Sequence, residues 1–106
     1  MLKNGVQEND ILELINKEYK ASTEEYEKKF PQLLYAYGIL KEECEELEEA
    51  TMYAHDELNR IWSQLREHDP DDTTVKKYAK NLLDESINSA VEAVQLGAMA
   101  LKLIKS

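Results

Sequence analysis

Glycine and proline are scarce in this chain of 106 residues, with three of the first and two of the second. Short strands joined by tight turns consume both, so their scarcity disfavours a sandwich or barrel and favours helices. Cysteine occurs once, at Cys44, which excludes an internal disulfide. Its place between Leu40 and Leu47 in an apolar stripe makes it a small core residue. Positive charge is also short: 13 Lys and Arg stand against 22 Asp and Glu, a net charge of −9. That balance argues against nucleic-acid backbones and anionic membranes as partners. An anionic ligand fits only with divalent cations between it and the carboxylates. No uninterrupted apolar run is long enough to cross a bilayer, and residues 1–10 lack the apolar centre of a secretion signal. The expectation is a soluble, cytoplasmic protein. Clustered Cys/His sites, glycine-rich phosphate loops and nucleophile elbows are absent. His55 and His68 sit in polar stretches and read as surface residues.

What is present is helical pattern. The length suits one domain, residues 1–106, with a single modest core. Residues 1–9 are polar and expected to fray. Asn9 or Asp10 can cap a short helix whose apolar face is Ile11, Leu14, Ile15 and Tyr19. Ser22-Thr23-Glu24-Glu25 has the form of a capping box, so a new helical turn is expected at Thr23. Phe30-Pro31 interrupts it, and Pro31 suits the first position of the next helix. From Pro31 to His68 only Gly38 disturbs the pattern. Leu33, Tyr37, Leu40, Cys44, Leu47, Thr51, Ala54, Leu58, Ile61 and Leu65 alternate steps of four and three, a heptad seam that can run for about 50 Å. Pro70-Asp71-Asp72 is a turn, and Asp72 or Thr73 caps a last helix reaching Ile104. The expected fold is all-α: a long antiparallel pair formed by 31–68 and 73–104, with short N-terminal helices.

The last helix carries two seams. Leu83, Ile87, Ala90, Val94, Gly97, Leu101 and Ile104 form one; Leu82, Ser89, Leu96, Met99 and Leu103 form another on roughly the opposite side, with Glu85 and Glu92 within it. A helix apolar on both sides is covered on both sides. Two long helices cannot cover it alone, so a second copy is expected over residues 92–103, in a homodimer or homotetramer forming an oligomeric bundle.

Carboxylates mark the candidate site. In Leu40–Ala50 (LKEECEELEEA), Glu43 and Glu46 are three residues apart and neighbours on one flank of the helix. Glu85, Asn88 and Glu92 form a strip on the last helix. Glu92 sits in a stretch, Ser89 to Ala100, that is otherwise apolar apart from Gln95, where a charge is costly unless paired or metal-bound. A buried Glu–Lys pair or an interface hydrogen bond with Gln95 would also satisfy it, and the glutamate run alone reads as a solvated face. Brought together, Glu43, Glu46, Glu85 and Glu92 form an oxygen-only set that suits Mg²⁺ or Mn²⁺ rather than zinc.

Leu40–Ala50 together with Leu82–Met99 (LLDESINSAVEAVQLGAM) resembles the MazG-like all-α nucleoside triphosphate pyrophosphohydrolases, whose signature is E-x-x-E on one helix and E-x-x-D on another. Glu43-Cys44-Glu45-Glu46 matches the first half. Glu85-Ser86-Ile87-Asn88 matches the second except for Asn88 in place of aspartate. The ending is similar to that of small, phage-borne members, and the likeness spans roughly residues 33–104. The connection between the two motifs is longer than usual for the family. The resemblance implies Mg²⁺-dependent (or Mn²⁺-dependent) cleavage of a nucleoside triphosphate between its α and β phosphates, giving monophosphate and pyrophosphate. It assigns metal ligation to Glu43, Glu46, Glu85 and Asn88 or Glu92, with Glu42 or Glu43 taking the proton of the attacking water. Lys41, Lys77, Lys80 and Lys102 are candidate phosphate contacts, and Trp62, Tyr35, Tyr37 and Tyr53 are candidate base-stacking surfaces. The competing expectation is a non-catalytic helical-bundle protein that dimerises through its apolar seams.

Overall fold

A computed structural model of the chain describes residues 5–25 and 29–106, with backbone alone for Glu24 and Glu25. It is all-helical: α1 spans Glu8–Glu25, α2 Leu33–Leu65 and α3 Asp72–Lys105, and no strand occurs among the described residues. The caps explain the boundaries, and each lies slightly away from its expected position. Gln7, rather than Asn9 or Asp10, closes the start of α1. Its carbonyl accepts the N–H groups of Asp10 and Ile11 (3.0 and 3.3 Å), while its own N–H donates to Asp10 Oδ2 at 2.8 Å. That reciprocal pairing places Asp10 in the first turn, where a carboxylate also favours the helix dipole. Of the segment expected to fray, residues 1–4 lie outside the described residues, and Glu8 and Asn9 are helical.

No new helix starts at Thr23. The hydroxyls of Ser22 and Thr23 donate backwards to the carbonyls of Tyr19 and Lys20 (2.8 and 3.0 Å), so they decorate α1 instead of capping a successor. Pro31 precedes α2 instead of opening it: Gln32 supplies the first helical carbonyl, to Ala36 N–H at 3.0 Å. From there α2 runs unbroken through residues 51–55. Asp71, one residue before the expected cap, starts α3. Its carboxylate accepts Thr73 N–H (3.0 Å) and Thr74 Oγ1–H (2.8 Å), and its carbonyl accepts Val75 N–H at 3.0 Å. Those hydrogen bonds to Thr74 and Thr73 hold the Asp71 carboxyl below its usual 3.8.

Contacts group the chain into two compact units, Met1–Cys44 with Ala93–Ser106, and Glu45–Glu92. In the first unit α3 approaches α1 closely at Gly97, where a methyl group would stand 2.7 Å from Ile15 Cδ1. Ala36 and Ala98 are its fully covered apolar residues, and Lys105 lies over the Tyr19 ring at 4.8 Å. The C-terminal Ser106 joins the 29–31 connection to α3, accepting Phe30 N–H at 3.1 Å and donating to the Lys102 carbonyl at 2.7 Å. In the second unit Ala50 is buried.

The face of α2 that is covered differs from the expected seam. Ala36, Leu40, Glu43, Leu47, Ala50, Ala54, Glu57, Ile61 and Gln64 are buried or half-buried, whereas Leu33, Tyr37, Cys44, Thr51, Leu58 and Leu65 are exposed. Both sets step by three and four, and they share only Leu40, Leu47, Ala54 and Ile61. Cys44 is therefore an exposed thiol and not a core residue. On α3 Leu82, Glu85, Ser89 and Glu92 of one seam are half-buried; of the other, Leu83, Ile87 and Ala90 face outward while Val94, Gly97 and Leu101 are half-buried. An 18-residue window of α3 reaches a mean hydropathy of 1.2, a length and composition that membrane-crossing helices and core helices share.

Candidate functional site

Within the second unit, α2 and α3 bring acidic side chains together at several levels. Carboxylate oxygens of Glu46 and Glu92 lie within 4.8 Å of each other. A hydrogen bond with Glu92, then partial loss of hydration, then the negative charges of Glu92 and Glu49, hold Glu46 above the ordinary 4.5 of a glutamate. These effects favour retention of a proton on Glu46. Glu92 Oε2 is buried and has no hydrogen-bond partner among the described residues. A buried, unpartnered carboxylate oxygen is costly, because nothing in the fold replaces the water it has lost.

A second level lies at Glu49, Tyr53 and Glu85. Tyr53 O–H donates to Glu49 Oε1 at 2.8 Å. That bond and the charge of Glu49, with lesser effects from lost hydration, Glu85 and Asp56, push the phenol above its usual 10. Farther along, Asn81 Nδ2 donates to Glu57 Oε2 at 3.5 Å, and Glu57 also pairs with Arg60. Glu49 is not among the expected site residues, and Tyr53 is expected only as a base-stacking ring, not as a partner of Glu49. The available signal was their spacing of four, which puts them side by side on one helix.

The expected site residues distribute as follows. Glu46 and Glu92 meet; Glu85 is half-buried near Tyr53; Asn88 is exposed. Glu43 is half-buried and precedes Glu46 by one turn on the same unbroken helix, while Glu42 and Lys41 are exposed. Lys80 pairs with Asp84 at 2.7 Å, and Lys77 is exposed. Trp62, in the second unit, is 60% exposed with the Arg66 guanidinium 5.9 Å from its ring. Lys102, in the first unit, is buried over the Phe30 ring. His55 and His68 are at the surface, as expected.

Searches against known protein families, curated proteins and solved structures find no match for this chain.

Proposed function

We propose that the chain is a Mg²⁺- or Mn²⁺-dependent nucleoside triphosphate pyrophosphohydrolase of the MazG-like kind, built on an antiparallel pairing of α2 and α3. The observation that carries this reading is the Glu46–Glu92 pair, with Glu92 Oε2 buried and unpartnered. The donors are all oxygen, which fits a hard divalent cation, and an orphaned carboxylate oxygen gains most from one. Glu46 and Glu92 are the central ligands in this reading. Glu43, a turn before Glu46, and Glu85, near Tyr53, extend the set, with Asn88 marking the motif's last position.

When bound, the cation would neutralise triphosphate charge and lower the pKa of a ligated water. The chain's own residues supply the rest. Glu42 or Glu43 accepts the proton that the attacking water loses. Tyr53, hydrogen-bonded to Glu49, keeps that carboxylate oriented.

The same reading includes self-assembly and an aqueous, cytoplasmic setting. Leu58, Trp62, Leu83 and Ile87 are each at least half exposed, more apolar surface than two helices keep in water without a partner. A homodimer or homotetramer would cover it. Glu92 and Lys102 within α3 disfavour a lipid setting, where each charge is expensive. The same exposed residues also favour the second reading, a non-catalytic bundle held by those seams.

A panel of nucleoside triphosphates assayed with Mg²⁺ and Mn²⁺ for pyrophosphate release separates the two. Cation-dependent release that is lost in Glu46→Gln and Glu92→Gln supports the enzyme. No release from any triphosphate, with no rise in melting temperature on adding either cation, leaves the scaffold.

A further inference from the structure

The first unit holds a cavity of about 680 Å³ between α1, the 29–31 connection, the start of α2 and the end of α3. Its size is that of a small-molecule site. Phe30, Tyr35, Ile39 and Met99 supply apolar and aromatic walls. The informative residue is Lys102. It is only 7% exposed, it lines this cavity, and its ammonium lies 4.8 Å from the centre of the Phe30 ring. The ring satisfies charge but accepts no conventional hydrogen bond. No hydrogen bond or ion pair joins the Lys102 ammonium to a described residue, and Nζ is not among the fully buried unpartnered atoms, so it reaches the solvent of the cavity. Ser106 keeps the ring in place, since it bonds both the Phe30 N–H and the Lys102 carbonyl.

An ammonium that faces a largely covered cavity without a protein acceptor offers its N–H donors to whatever enters that cavity. The other charged groups on the wall are Lys29, Glu18 and Glu43. Two ammoniums against two carboxylates leave the cavity close to neutral, so a polyphosphate without a cation meets as much repulsion as attraction. A single negative charge placed at Lys102 brings less charge to be repelled by Glu18 and Glu43, and a flat apolar body adds contact with the aromatic walls.

We propose that this cavity binds a small organic carboxylate with an aromatic or branched apolar body, its carboxylate on Lys102 and its body against Phe30, Tyr35 and Met99. The proposal does not depend on the metal-dependent reading, and its test is made with the full chain in the presence of a chelator. The probe is phenylacetate, followed by calorimetry. Saturable one-to-one binding is expected, with acetate and phenethyl alcohol each about tenfold weaker or worse, because each lacks one half of the recognition. Lys102→Met is expected to lose at least about tenfold in phenylacetate affinity while melting no lower than the parent, since an apolar side chain replaces a buried charge. As a measurement on the unaltered protein, the NMR signals of the Lys102 side chain should shift as phenylacetate is added. The proposal is overturned if Lys102→Met binds phenylacetate undiminished, if the Lys102 signals stay still through a saturating titration, or if phenethyl alcohol binds as well. Tighter binding of phenyl phosphate or metal-free ATP than of phenylacetate would overturn it as well.

Discussion

The two glycines inside the long helices allow a sharp test of the packing between α1 and α3. Gly38 on α2 has no atom within 4 Å of where a Cβ would stand, whereas a Cβ at Gly97 would lie 2.7 Å from Ile15 Cδ1 and 3.0 Å from Ile15 Cγ1. Alanine at either position removes backbone freedom from the unfolded chain and improves helix propensity by about 1 kcal/mol. At Gly38 nothing opposes that gain, so Gly38→Ala should stabilise by about 1 kcal/mol. At Gly97 the added methyl forces the Ile15 side chain aside. Overpacking of this kind costs about 1–3 kcal/mol, which leaves Gly97→Ala between neutral and about 2 kcal/mol destabilising. With about 4 °C per kcal/mol for a domain of this size, the two variants should differ by roughly 4–12 °C in melting temperature. Ile15→Val removes Cδ1, the atom in closest conflict, so the double variant Ile15→Val/Gly97→Ala should recover part of the loss. A double-mutant cycle would show that coupling. If Gly97→Ala raises the melting temperature as much as Gly38→Ala does, or if Ile15→Val does nothing for it, the described approach of the helices is wrong.

Three more expectations follow from the electrostatics and the exposed seams. Because the folded-state pKa of Glu46 is raised, folding is favoured below its unfolded value of 4.5 and that favour is lost as pH rises through the folded pKa. Metal-free protein should therefore gain stability on mild acidification from neutrality, and Glu46→Gln should melt higher at neutral pH, flatten that gain and lose the response to Mg²⁺ or Mn²⁺; an unchanged cation response would refute the site. Asp71 has the opposite sign: its lowered pKa contributes stability above the unfolded value of 3.8, lost as pH falls through the folded one. Asp71→Ala should lower the melting temperature and Asp71→Asn should restore much of it, as thermal melts at neutral pH would show. Leu83 and Ile87 are 55% and 56% exposed, so Leu83→Glu with Ile87→Glu should reduce the mass seen by light scattering if these residues hold copies together.

The helices were legible because their boundaries are chemical: a proline, a run of turn residues, and polar caps within a residue or two of where they act. Which face of α2 turns inward was not. Ala36 and Ala50, the residues most covered on it, are neutral in a hydrophobic pattern, whereas Leu33, Leu58 and Leu65 are conspicuous and lie outside. The two seams share only four members and otherwise lie one residue apart, and the pattern alone favoured the one with larger side chains. The same limit applies to the carboxylates. Spacing puts Glu43 beside Glu46 and Glu85 near Glu92, because that is fixed within one helix. Which residue of α2 meets which residue of α3 depends on registry between helices, so Glu46 meeting Glu92, and Glu85 lying near Tyr53, required coordinates. Lys102 was visible as a cation near the end of an apolar helix, but its burial over Phe30 depends on residues more than seventy positions apart.

The exposure of Cys44 has a practical consequence. It is the only cysteine in the chain, it faces solvent, and it stands next to Glu43 and two residues before Glu46. A maleimide fluorophore or nitroxide can thus be attached at a single known position without first removing other thiols. Such a reporter sits within one helical turn of the glutamates in question, close enough for bound Mn²⁺ to quench or broaden its signal. Cation occupancy, and the distance between labels in any assembled pair, can then be read from the same derivative.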